Sequence, residues 1–207
     1  VLRSARSRPG RTTHRRVRVR VLILAALIVI LAGLTALRVL PRLLPWAGRD
    51  TLESLTWSHR VLDRRDGELQ IRPVNDEGLR RIFVPHEELP AELRRIVRIS
   101  EDKRFYFHPG FDPFSLFRAA YRFVRDSAQG GGGSTISMQL ARMINPRPSG
   151  VPLGAGRKAR ELWWALQIES RYTKKEILEL YMNLVPFGRN IEGFPAAARL
   201  FFGRRLS

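Results

Sequence analysis

The sequence predicts a mainly α protein with a small β portion, standing behind a single N-terminal transmembrane helix. Three observations predict it. An apolar run, VLILAALIVILAGLTAL (residues 21–37), follows an arginine-rich start. From Pro90 onward, apolar residues recur at three- and four-residue spacing, the helical period. Only between about residues 60 and 85 do short apolar runs flank turn residues, which marks strands.

The bulk numbers narrow the class. A chain of 207 residues is one domain, or one domain with an appendage. The formal net charge is +18, and only four of the 37 basic residues are lysine. Such a balance points to an anionic partner: nucleic acid, anionic lipid or a phosphorylated substrate. With no cysteine, a disulfide framework and a thiolate metal site are excluded.

Residues 1–20 carry eight arginines and no acid. The apolar run behind them would span about 26 Å as a helix, close to a hydrocarbon core of about 30 Å. Val39 and Leu40 extend it past Arg38, whose side chain can snorkel. A cleaved signal peptide has a shorter apolar core and an A-x-A-like site, and no such site follows here. The run is therefore read as an uncleaved anchor over residues 21–40, with the arginine-rich tail cytoplasmic and the body outside. That topology takes the body away from nucleic acid. Residues 41–80 read as a juxtamembrane connector, with Trp46 and Trp57 suited to the membrane interface and VLDRRDGELQI forming a hairpin around Asp66-Gly67. IFVP, residues 82–85, reads as a further strand.

The rest, 81–207, reads as the helical body. Pro90 opens a helix whose Leu93, Ile96, Val97 and Ser100 share a face, and HPGFDPF breaks it just after Glu101 and Asp102. Phe114, Phe117, Tyr121 and Val124 make an aromatic stripe that suits either a core or a membrane surface. Glycines 130–133 make a loop that can approach a ligand, and Ser134 or Thr135 can cap the next helix. A long helix follows from about Arg157, in which Lys158 and Arg157 lie three and four residues before Glu161 and share its face. Alone, that arrangement is an ordinary surface ion pair worth tenths of a kcal/mol. Thr173-Lys174-Lys175-Glu176 is a capping box for the next helix.

Four stretches carry a resemblance. SEDKRFYFHPGFD is similar to E-D-x-x-F-x-x-H-x-G, GGSTISMQLAR to G-x-S-T-[IL]-T-x-Q-L, and RKARELWWALQIE to R-K-x-x-E followed by A-x-x-L-E. EILELYMNLVPFGRNIEGFPAAARLFFG resembles I-L-E-x-Y-L-N followed by G and G-x-x-A-A-x-x-Y-F-G. In this order, over about 110 residues, they resemble the peptidoglycan glycosyltransferases (transglycosylases, family 51). HPGFDPFS, STISMQLAR and NLVPFG lean toward the C-type branch of the class A penicillin-binding proteins. Ser137, Met143 and Phe201-Phe202 depart from the usual threonine, asparagine and Tyr-Phe.

The resemblance implies a lysozyme-like fold and the inverting polymerisation of lipid II into β-1,4 glycan strands outside the cell membrane, with release of polyprenyl diphosphate. Glu101 matches the general base, for which an aromatic-lined, partly dehydrated site would be an aid. Glu161 matches the second carboxylate, assisting diphosphate departure directly, through a divalent ion such as Mg or Mn, or by orienting Lys158 and Arg157. Ser134, Thr135, Gln139 and Arg142 match cleft positions of the substrate-binding set. Asp102 and His108 are grouped with that set, Asp102 as local support and His108 as a hydrogen-bonder rather than a catalyst. No obligatory cofactor is implied. The implied partners are lipid II, the growing glycan chain, the membrane and other cell-wall synthesis proteins, with no nucleic acid. The family's domain continues beyond the point where Ser207 stands, so the chain is expected to be a C-terminally truncated fragment, and no transpeptidase function is expected in this stretch. A non-catalytic lipid II-binding scaffold and a glycan-cleaving hydrolase remain alternatives, since two carboxylates also serve glycosidases.

Overall fold

In a computed structural model, residues 11–206 are described, apart from 47, 66–67, 127–132 and 146–154. Helix α1 runs from Arg11 to Leu43 and contains the apolar stretch Val21–Leu43, whose mean hydropathy is 2.6 and which, apart from Pro41, is not buried by the rest of the chain. The helix thus continues beyond the expected boundary at residue 40 and on through Pro41.

The outer end of α1 is held by the body. Arg171 donates to the carbonyls of Pro41, Arg42 and Leu44 at 2.8, 2.9 and 2.8 Å. These bonds satisfy carbonyls at a helix end that lack a partner along the helix. Gln167 donates to the Pro45 carbonyl at 3.0 Å. Trp46 is buried, edge-on to Tyr172 at 6.1 Å and beneath the Arg171 guanidinium at 5.5 Å. The expected interfacial place of Trp46 is therefore corrected: its ring is packed into the body. Gly48, which opens the short helix α2 (Gly48–Glu53), leaves room for it, because a Cβ there would lie 2.5 Å from the Trp46 ring. Trp57 also turns to the body, 5.0 Å from Phe83.

Strands β1 (Arg60–Leu62) and β2 (Glu68–Ile71) pair antiparallel, as the hairpin pattern predicts. The Asp66-Gly67 turn lies outside the described residues. The third strand departs from expectation. It is β3 at Arg80–Arg81, and residues 82–85 form no ladder. Instead the Asn183 side-chain amide bonds both the N–H and the carbonyl of Val84, at 2.9 Å each, so a side chain satisfies what a neighbouring strand would.

The body is built around α5 (Ile136–Ile144), six of whose nine residues are buried. Helices α6 (Ala155–Glu169) and α7 (Lys174–Leu184) pack against it. Thr135 caps α5, accepting from the Met138 N–H at 3.2 Å, and the Thr173/Glu176 capping box starts α7. Helix α3 (Ala91–Glu101) begins after Pro90 and buries Val97, but Ile96 and Ser100 are exposed rather than on the core face. Helix α4 (Pro113–Asp126) carries the aromatic stripe. Phe114, Phe117 and Tyr121 are all exposed, which removes the core-facing reading for these three.

A second sheet was not anticipated. Strands β4 (Pro186–Gly188) and β5 (Ile191–Glu192) form a hairpin through Arg189 and Asn190, both at positive φ. β5 then pairs in parallel with β3 across more than 100 residues of sequence. Arg81 and Glu192 lock this pairing with an ion pair at 2.5 Å. Helix α8 (Phe194–Phe202) closes the fold.

Candidate active site

Glu101 is the last residue of α3, and its side chain is exposed. Gln139 on α5 donates to its Oε2 at 2.8 Å. The Tyr181 hydroxyl on α7 donates to Gln139 Oε1 at 3.3 Å. Burial first, and then the Glu101 charge, push the Tyr181 phenol up to about 12, so it stays protonated and remains a donor. A donated bond at Oε1 turns the Gln139 amide so that its NH₂ faces Glu101. Among the described residues, the other carboxylate oxygen of Glu101 accepts no hydrogen bond.

The Glu101–Gln139 bond stands where two clefts meet. The smaller, about 300 Å³, is lined by Glu101, Lys103, Arg104, Arg118, Ser134 and Thr135. The larger, about 700 Å³, is lined by Gln139, Arg142, Met143, Asn145, Arg81 and Glu192, among others. Cations line both walls, although Arg104 is paired with Asp112 in the smaller cleft and Arg81 with Glu192 in the larger. Among the described residues, the expected aromatic lining around Glu101 is not found. The 3₁₀ turn at Phe105–Phe107 drives Phe105 into the core, and Tyr106 lies under Arg98 at 5.5 Å.

Behind Glu101 is a buried scaffold. Asp102 accepts from the Ile136 N–H at the start of α5 at 3.1 Å and meets His108 Nε2 at 2.9 Å. The Gly110 N–H donates to His108 Nδ1 at 3.1 Å, so the ring proton sits on Nε2 and points at Asp102. Thr135 donates to the Gly110 carbonyl at 2.5 Å. Asp102 and His108 are thus buried and bonded to each other, and they fix the end of α3 against the start of α5, while Asp102 also borders the smaller cleft. Ser137 donates to Glu169, which also pairs with Lys174 at 2.6 Å, and Lys174 donates to the His108 carbonyl at 2.7 Å.

Ser134 joins Glu101's cleft to the second carboxylate. Lys158 donates to Ser134 Oγ at 2.8 Å and lies 3.4 Å from Glu161 Oε2. Glu161 is buried, with Arg157 3.8 Å from its other oxygen, which makes no hydrogen bond. Burial lowers the Lys158 ammonium, and the Glu161 charge works against that. Two cations around one carboxylate do not fit a divalent metal, and no group of three His, Asp or Glu side chains converges among the described residues. Glycines 130–132 lie outside them. Sequence reasoning missed Tyr181 and Asn145, and the parts of Arg81 and Glu192. Tyr181 sits inside EILELYMN and could have been found there; the other three reach the cleft only through folding.

Residues 68–207 match the transglycosylase family. The chain belongs to that family. It is 38% identical to penicillin-binding protein 1C of Escherichia coli over 146 residues, 70% of this chain and 18% of that protein. It is also 38% identical to a biosynthetic peptidoglycan transglycosylase of Aromatoleum aromaticum over 154 residues, 72% of this chain and 65% of the relative. A likeness to penicillin-binding protein 4 of Bacillus subtilis, 37% identical, covers 69% of this chain and 22% of the relative. The chain therefore spans less than two thirds of each of these relatives.

Proposed function

We propose that this protein is a peptidoglycan glycosyltransferase that polymerises lipid II, inverting the configuration at C1. The observation that carries this reading is a single exposed carboxylate, Glu101, held by Gln139 between two cation-lined clefts. Transfer between two lipid-linked sugars needs such a base with a substrate on either side. Glu101 takes the proton of the acceptor's 4-hydroxyl as that oxygen bonds to the donor's C1. The bond from C1 to the polyprenyl diphosphate breaks, and the charge that develops on the diphosphate is met by Lys158, Arg157 and Arg142. Glu161 holds Lys158 in place rather than touching substrate.

Helix α1 anchors the body to the membrane, with its arginine-rich start inside and the clefts outside, and the exposed α4 stripe rests on the lipid surface. Other cell-wall synthesis proteins are the natural partners of such a body. The test is polymerisation of labelled lipid II by this chain in bilayers, beside Glu101→Gln. The reading predicts polymer from the parent chain and a loss of at least about 100-fold in the variant. An equal rate from both would remove Glu101 from the reaction. Cleavage of finished glycan in place of polymerisation would make the protein a hydrolase.

A further inference from the structure

Away from the Glu101 clefts, two hollows meet at one side chain. Tyr106 lines both. The first, about 820 Å³, is a groove between the outer part of α1 and the body, walled by Leu34, Leu37 and Arg38 on one side and by Phe107 and Tyr172 on the other. The second, about 260 Å³, is walled by His86, Arg94, Arg95 and Arg98. Together they make a tract that is apolar at the anchor and cationic beyond it. Neither is lined by Glu101, Gln139 or Lys158.

The charges of the second hollow are little opposed. Arg95 reaches Glu92 only at 3.9 Å, between exposed side chains. Among the described residues no carboxylate pairs with Arg94 or Arg98, and Arg98 lies over the Tyr106 ring at 5.5 Å. Glu179 is taken by the His86 N–H at 2.6 Å, and Glu87 by Lys175. His86 Nδ1 is buried without a partner, and burial, followed by the charges of Arg94 and Lys175, lowers that imidazole. In the groove, Lys174 is occupied by Glu169 and the His108 carbonyl, whereas Arg38 is exposed. Phe107, in the wall of the groove, is 86% exposed.

We propose that this joined tract binds one anionic phospholipid of the surrounding bilayer, with an acyl chain along the groove and the phosphate among Arg94 and Arg98. One wall of the groove is the helix that carries the apolar stretch Val21–Leu43, so the groove opens where bilayer lipid lies. Arginine forks suit phosphate oxygens, and basic pockets beside membrane helices are suited to anionic headgroups. This rests on the membrane-anchor reading under Proposed function. A lipid seated there fills the space between α1 and the body next to the Arg171 contacts.

The experiment is native mass spectrometry of the full chain in detergent with phosphatidylglycerol, with phosphatidylethanolamine of the same acyl chains, or with a polyprenyl phosphate. It is run beside Arg94→Gln/Arg98→Gln, with each single variant in reserve should the pair fail to fold by circular dichroism. One phosphatidylglycerol should be retained, at least about tenfold better than the zwitterionic lipid, and the variants should lose most of that preference. Equal retention of the two phospholipids, or retention untouched by the variants, overturns the proposal. So does retention of the polyprenyl phosphate alone, which would make the tract a substrate site. Flotation with zwitterionic vesicles separates the two ideas. A chain that does not float loses the membrane reading and this site with it; a chain that floats but is unselective loses the site alone.

Discussion

Gln139 Nε2 donates to Glu101 Oε2 across 2.8 Å, joining the central helix α5 to the last residue of α3. The bond is one link in a relay from the Tyr181 hydroxyl, and it aims the carboxylate without covering its second oxygen. Gln139→Leu removes the aim and leaves the Tyr181 hydroxyl without its partner. The expected outcome is a fall in kcat of about 100-fold with a smaller change in KM, because a base displaced by about 1 Å loses most of its advantage. An unchanged kcat would show that Glu101 finds its position without Gln139.

The Lys158 ammonium is lowered by burial and supported by Glu161, while Arg142 and Arg157 push it down further. Glu161→Gln keeps the shape and removes the support, so the ammonium should titrate at lower pH than in the parent chain. NMR of the lysine side chain reads this directly. The alkaline limb of the polymerisation profile should move the same way. A lysine titration that stays in place would mean that Glu161 acts on something other than Lys158.

Asp112 caps the approach to α4. Burial alone would raise its carboxyl, but hydrogen bonds from Arg104 and Ser115 and the Arg104 charge hold it at about 2, below its ordinary 3.8. A depressed acid contributes stability that is full above the unfolded value and is lost as pH falls through the folded one. The stability advantage of the parent chain over Asp112→Asn should therefore be constant above about pH 5 and shrink toward pH 2. Urea midpoints across that window check it, and an advantage independent of pH would contradict it.

Gly193 opens α8 at φ 85°, and a Cβ there would stand 2.4 Å from the Asn183 carbonyl oxygen. Gly203 ends the same helix at φ 65° with open space around it. Gly203→Ala should cost about 1 kcal/mol, the backbone strain alone. Gly193→Ala should cost more, because Asn183 must also move, and with it the bonds to Val84. Denaturant titration of both variants tests the order; equal losses would mean that the contact at Gly193 relaxes freely.

Much of the scaffold was legible because its causes are local. The capping box at Thr173, the cap at Thr135 and the break after Glu101 are each written within a few residues. The site was legible only in part. Glu101, Gln139, Ser134 and Lys158 could be named from their motifs, yet their hydrogen bonds cross 38 residues in one case and 24 in the other. The aromatic residues after Glu101 pointed to a greasy cleft, and the 3₁₀ turn sent Phe105 elsewhere.

The apolar helix, the helical body and the order of the motifs follow from the residue order alone, since periodicity and capping are properties of neighbours. Folding was needed to bury Trp46 rather than leave it interfacial, to set Asn183 in the place of a strand beside Val84, and to pair β3 with β5. It also decided that Asp102, paired with His108, braces the start of α5 through the Ile136 N–H. Each of these is a contact between residues distant in the chain. Such contacts are chosen by which buried polar groups and apolar surfaces satisfy one another once the helices meet, and no short window of sequence contains both halves of that choice.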